Sequence, residues 1–174
     1  MNIYIILLLR IIHIFAGVLW VGSAIFYLFL VQPAVKSIGS DGHKFMNSLF
    51  TRQRYPMYMG IIATLTIVSG ILLFPGTSGN FNLGWIKSGP GLGFTLGSLA
   101  GIAVYFVGFL MVKPRAQRMG KLVHEIGMAG GPPTQEQLAD LERGDKDLNQ
   151  AERLDFVLLS VSLLLMAIAR YLVF

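Results

Sequence analysis

The 174-residue chain contains no cysteine, which excludes disulfides, thiolate metal sites and cysteine nucleophiles. Charged residues are scarce as well, at 13% of the chain, and histidine occurs only as His13, His43 and His124. We find no serine–histidine–acid set, no phosphate-binding glycine loop and no paired carboxylate motif. The sequence therefore does not indicate a hydrolase, and any metal would have to be held by histidine, methionine, carboxylate or backbone oxygen.

Apolar side chains are what the chain has in excess. Hydrophobic residues make up 54% of it and the mean hydropathy is +0.64, a composition typical of membrane proteins. The net charge of +5 would suit nucleic acid, but the basic residues lie between apolar runs, as membrane topology requires. We therefore expect the lipid bilayer, and no nucleic acid, as a partner.

Four apolar stretches are each long enough to cross a bilayer as a helix, which takes about 20 residues. Helix breakers bound them, so Pro33 should end the first span and Pro56 should open the second. In the third, Gly93, Gly97 and Gly101 form a small-residue stripe that favours close helix packing. The predicted fold is one all-α domain, residues 1–174, built as a four-transmembrane-helix bundle. Its spans are residues 3–31, 57–74, 91–112 and 154–174.

The basic residues predict how the bundle is oriented. The segment between the second and third spans carries only Lys87. Lys and Arg concentrate on the cytoplasmic side of membrane proteins. The segment between the first and second spans and the segment between the third and fourth spans should therefore be cytoplasmic, and both termini should lie on the other side. The basic residues of those two segments are Lys36, Lys44, Arg52, Arg54, Lys113, Arg115, Arg118, Lys121, Arg143, Lys146 and Arg153.

Residues 113–153 should form a cytoplasmic helical hairpin between the third and fourth membrane helices. Residues 115–128 continue the third helix with an apolar stripe, and the Gly-Gly-Pro-Pro run at 130–133 breaks it. Thr134 and Gln137 have the spacing of a capping box, which predicts the start of the next helix. We expect the last two spans to extend beyond the membrane as an antiparallel pair.

Arg10, His13 and Arg170 fall within the apolar spans. Buried charge requires compensation, and antiparallel helices can bring the two arginines to similar depth. Water and lipid headgroups, the terminal carboxylate of Phe174, or a bound anion would each serve. If the anion is a haem propionate pair, His13 lies about one helical turn deeper than Arg10, where it would suit the iron.

His13 has two interpretations. It could hydrogen-bond a neighbouring backbone carbonyl or hydroxyl, or it could bind a metal or redox cofactor. The spans contain no second histidine, so the other axial position of a haem would fall to a methionine such as Met59 or Met166, or stay open.

Two segments of the chain resemble a family of bacterial membrane proteins. "LRIIHIFAGVLWVGSAIFYLFLVQPAV" resembles the first span of HemJ, CopD and related proteins, and "TRQRYPMYMGIIATLTIVSGILLF" is similar to the segment that follows. The resemblance covers about the first 75 residues. It implies a bacterial inner-membrane location, haem b binding through His13 for HemJ-like members, and copper uptake for CopD-like members.

Two classes of function remain open from the sequence. The chain could be a redox-linked haem b protein, with His13 as axial ligand and Arg10 and Arg170 as propionate partners. It could instead be a non-catalytic accessory subunit of a larger respiratory or photosynthetic complex, packed against other subunits or further copies of itself. CopD-like copper transport is a third alternative, and the sequence does not decide whether any reaction is catalysed.

Overall fold

The computed structural model describes residues 2–129 and 131–173, and the regular elements in this part of the chain are all helical. The predicted all-α class is confirmed. Phe174, whose carboxylate is one candidate partner for the arginines, lies outside the described residues. The helices are α1 (Ile3–Ser37), α2 (Ser40–Asn47, continued by a π turn at Ser48–Arg52), α3 (Tyr55–Thr77), α4 (Leu83–Ile86), α5 (Gly89–Met128) and α6 (Gln135–Tyr171).

Helices α1, α3, α5 and α6 are each long and apolar enough to cross a membrane. Their outer faces are apolar too: Ile11, Phe15 and Val18 of α1 are 65%, 66% and 65% exposed. Such a surface is unfavourable in water but matches lipid tails. The chain is therefore an integral membrane protein, and the four-helix bundle is confirmed.

The bundle is built from two closely packed helix pairs, α1 with α3 and α5 with α6. Gly93, Gly97 and Gly101 explain the second pair, because a methyl group at Gly93 would come within 2.8 Å of the Ala169 Cα atom. The Ser162 hydroxyl also donates to the Gly97 carbonyl over 2.8 Å. The two pairs touch each other less extensively, mainly through a core that includes Trp20, Ile62, Ala63, Val104 and Leu159.

Pro33 does not end the first helix, contrary to the sequence prediction. A proline lacks the N–H group and crowds the preceding turn, and α1 accommodates it by widening into a π turn at Tyr27–Val31. The Gln32 N–H then bonds to the Tyr27 carbonyl, five residues back, and the helix continues to Ser37. A second π turn, Gly108–Val112, precedes Pro114 in α5 in the same way.

The helical hairpin between the third and fourth membrane helices is confirmed. Helix α5 runs on to Met128, and α6 begins after Thr134. The capping box is present: Thr134 Oγ1 accepts from the Gln137 N–H over 3.2 Å, and Gln137 Oε1 accepts from the Thr134 N–H over 2.9 Å. Gly130, within the predicted break, lies outside the described residues.

A polar contact ties α1 to α6 at the end of the bundle near the hairpin. Gln32 Nε2 donates to Asn149 Oδ1 over 2.9 Å and to Glu152 Oε2 over 2.8 Å. Next to it the rings of Phe29 and Phe156 meet edge to face, 5.3 Å between centroids. These contacts fix the antiparallel register of α1 and α6, and with it the relative depth of residues at the other end.

Candidate functional site

A cavity of about 770 Å³ lies between the two helix pairs, where they are least tightly joined, and it is open to the outside of the bundle, since lining residues such as Val18 and Leu99 are largely exposed. All four long helices line it, with side chains such as Val21, Ile67, Ile102 and Leu163. The lining is mostly apolar, and the volume falls in the range of about 300–1,000 Å³ that is usual for small-molecule and cofactor sites. The cavity is the best candidate for a binding site in the described part of the chain.

His13 lines this cavity from α1 and is anchored on α3. Its Nδ1 lies 2.8 Å from the carbonyl oxygen of Thr66. A carbonyl oxygen can only accept, so Nδ1 carries the proton and donates. The Ser69 hydroxyl, 3.4 Å from Nδ1, already donates to the Leu65 carbonyl. The imidazole is therefore held in one tautomer, with Nε2 unprotonated in the neutral ring.

The hydrogen bond to a backbone carbonyl was one of the two interpretations of His13, and it is confirmed. It engages only Nδ1. Within the described residues Nε2 has no hydrogen-bond partner, and His13 is only partly buried. Metal ligation requires an imidazole nitrogen with a free lone pair, and Nε2 of this cavity-lining residue has one.

Gly70 makes room for the imidazole. A methyl group built on Gly70 would come 2.9 Å from Cε1 and 3.2 Å from Nδ1 of His13. Contacts this short would displace the ring from the Thr66 carbonyl. Glycine at this position therefore belongs to the site, whereas in the sequence Gly70 is one of several glycines that indicate only a smooth helix surface for packing.

Two further cavity residues carry polar or soft atoms. Thr95 Oγ1 is buried and has no hydrogen-bond partner, the sole such side-chain atom found among the described residues. Met166 also lines the cavity, with its Cγ beside Gly97, whereas Met59 packs against the core that includes Trp20. Of the two methionines considered as a second axial ligand, Met166 is the one at the cavity.

Arg10 and Arg170 are both exposed, and the described cavity lining includes neither. Each nevertheless lies on the same helix face as a cavity residue, Arg10 three residues before His13 and Arg170 four after Met166. The register of α1 and α6 puts the last turn of α6 at about the depth of His13. The Arg170 guanidinium is 5.8 Å from the centroid of the Tyr171 ring.

No group of three or more His, Asp or Glu side chains that could hold a bare metal ion occurs in residues 2–129 and 131–173. Of the cavity-lining residues in this part of the chain, His13 and Met166 have side chains with a nitrogen or sulfur atom that can bind a metal.

Comparisons with protein-family models, with curated proteins and with solved structures give no match. The resemblance of the first 75 residues to HemJ and CopD therefore stays a prediction, and the function has to be argued from the cavity itself.

Proposed function

We propose that this integral membrane protein binds haem b in the cavity between its two helix pairs and has a redox-linked role. His13 Nε2 would be the protein ligand of the iron. Two observations together carry the proposal: Nδ1 of His13 donates to the Thr66 carbonyl while Nε2 has no partner, and His13 lines an apolar cavity of about 770 Å³.

A hydrogen bond from Nδ1 to a carbonyl is what metal-ligating histidines commonly make. It fixes the ring orientation and raises the basicity of the other nitrogen. A histidine with a purely structural role would make the same bond. What favours the ligand role is that His13 also lines a cavity of cofactor size.

The two arginines suit the carboxylates of such a ligand. Haem b carries two propionates, and guanidinium groups bind carboxylates by paired, charge-assisted hydrogen bonds. Arg10 lies about one helical turn nearer the end of α1 than His13, and Arg170 lies at about the depth of His13 on α6. Both side chains are exposed, so both can turn toward a ligand that reaches the mouth of the cavity.

The test is the visible spectrum of the full-length protein, purified in detergent and reconstituted with haem b. We expect a Soret band at about one haem per chain, lost in His13→Ala. The matched control is His124→Ala, because His124 is exposed on the hairpin, and this variant should keep the band. A wild-type protein without a Soret band, or a His13→Ala variant that retains it, would refute the proposal.

The alternatives from the sequence predict other outcomes of the same purification. An accessory subunit would be colourless and would co-purify in fixed proportion with other membrane subunits. A copper transporter would bind copper in a manner sensitive to His13→Ala without taking up haem.

We also propose that the protein lies in the bacterial inner membrane with both termini outside the cytoplasm. In the bundle, the segments rich in lysine and arginine lie at one end, and the start of α1 and the end of α6 lie at the other. Reporter enzymes fused to the C-terminus should be active only outside the cytoplasm. Reporter activity inside the cytoplasm would show that the orientation is the opposite of the one proposed.

A further inference from the structure

The wall of the cavity continues into the outer surface of the bundle. Val18 of α1, Leu99 of α5 and Leu163 of α6 all line the cavity, yet they are 65%, 58% and 47% exposed. Phe15 and Leu96, each three residues earlier on the same helix face as Val18 and Leu99, are exposed apolar residues of the outer surface. The cavity is therefore an inward extension of the surface that the bilayer covers.

The opening lies near the middle of the bilayer rather than at its surface. A methyl group built on Gly101 would contact the Ser162 hydroxyl, so Leu99 lies level with Leu164, the middle of the last predicted span. Counted from the aromatic contact that fixes the register of α1 and α6, Val18 lies within about one helical turn of the same depth. At this depth the medium outside the bundle is hydrocarbon.

Acyl chains are the molecules that the bilayer presents at such an opening. The cavity offers about 770 Å³ between mostly apolar side chains. Left empty, it would deprive its lining of van der Waals contacts, which is unfavourable. Water gains too few hydrogen bonds in apolar surroundings to fill it. A flexible hydrocarbon chain can fill it, because it has no polar group to desolvate.

We infer that an acyl chain of a membrane phospholipid enters this cavity from the side and packs against Trp20 between the two helix pairs. Trp20 lines the cavity, but only 6% of the residue is exposed, so a chain has to enter the bundle to contact its ring. The protein would hold this lipid in addition to those that surround it. The inference does not rest on the haem proposal, because a flexible chain can leave when another ligand enters.

Two small residues allow the opening to be blocked. Gly22 lines the cavity, is exposed, and a methyl group built on it meets nothing within 4 Å. It follows Val18 by four residues on the same face of α1, so Gly22→Phe should place a ring in the opening without a clash. Ala167, which is exposed and lines the cavity from α6, gives a second blocking variant, Ala167→Phe.

The experiment measures how strongly a phospholipid brominated at the middle of one acyl chain quenches the fluorescence of Trp20. The chain has two tryptophans, so Trp85→Phe leaves Trp20 as the reporter in the full-length apoprotein. This parent protein is reconstituted into phosphatidylcholine vesicles with and without the brominated lipid. Bromine quenches indole only at short range, so we expect strong quenching, most of which is lost when Gly22→Phe or Ala167→Phe is added.

The matched control is Gly60→Phe in the same parent. Gly60 is also exposed, with nothing within 4 Å of an added methyl group, but it is not among the cavity-lining residues, so quenching should persist. Unquenched Trp20 in the parent would overturn the inference, and a second copy of the chain covering the opening would give that result. Equal quenching in the blocked and control variants would overturn it too, because lipid around the bundle would then account for the signal. Haem uptake is measured separately, so either proposal can fail without the other.

Discussion

Substituting Gly70 by alanine should weaken haem binding without unfolding the protein. The added methyl group would stand 2.9 Å from Cε1 and 3.2 Å from Nδ1 of His13. Ordinary contact needs about 3.5–4.0 Å between carbon atoms, so the ring would have to move by about 0.5 Å or more. The bond from Nδ1 to the Thr66 carbonyl, now 2.8 Å long, would stretch or break.

Gly70→Ala should have a large effect on haem affinity and a small one on the stability of the fold. Loss of a hydrogen bond that orients a metal-ligating histidine lowers metal affinity by about 10- to 100-fold, so haem affinity should fall by about tenfold or more. The stability of the fold should change little. Overpacking is unfavourable by about 1–3 kcal/mol, but alanine is favoured over glycine within a helix by about 1 kcal/mol, and the His13 side chain can turn away.

The assay is a titration of the apoprotein with haem, followed at the Soret band, with thermal unfolding measured in parallel. Gly60→Ala is the matched control, because it lies on the same helix and a methyl group there meets nothing within 4 Å. Equal haem affinity in Gly70→Ala and Gly60→Ala would show that the ring position beside Thr66 does not matter for the ligand, and the reasoning would be refuted.

Two further predictions concern the packing that forms the cavity. Gly93→Ala would bring a methyl group within 2.8 Å of the Ala169 backbone, so it should destabilise the α5–α6 pair by about 1–3 kcal/mol and lower the unfolding midpoint in detergent. The control is Gly120→Ala, which has open space around it. Equal unfolding midpoints for the two variants would contradict the packing. Gln32→Leu would leave Asn149 and Glu152 without the Gln32 side-chain donor and should lower the stability of the fold by about 1–3 kcal/mol. Backbone amides where α1 meets α6 should then exchange hydrogen faster. Unchanged exchange there would show that Gln32 does not hold α1 against α6.

The elements predicted correctly from the sequence are those that depend on local signals. A run of about 20 apolar residues and a capping box each act within a single segment. Thr134 and Gln137 accordingly mark the start of α6 as expected. The stripe of Gly93, Gly97 and Gly101 indicated close packing, which the contacts with α6 confirm.

The elements that the sequence did not predict depend on how separate segments meet. Pro33 is the exception, because its signal for a helix end was overridden within the same helix: the π turn before it satisfies the Gln32 N–H and the helix continues. Thr95 and Gly70 look like ordinary helix residues until α3 and α5 are placed around the same cavity. From the sequence, the positive charges of Arg10 and Arg170 were expected to need a partner inside the bundle, but both side chains are exposed.

The identity of the iron ligand tests the account most directly. Resonance Raman spectra of the ferrous, haem-reconstituted protein should show an iron–imidazole stretching band that shifts when histidine is labelled with nitrogen-15. The band should disappear in His13→Ala and persist in His124→Ala. A band that survives in His13→Ala would contradict the assignment of His13 Nε2 as the ligand.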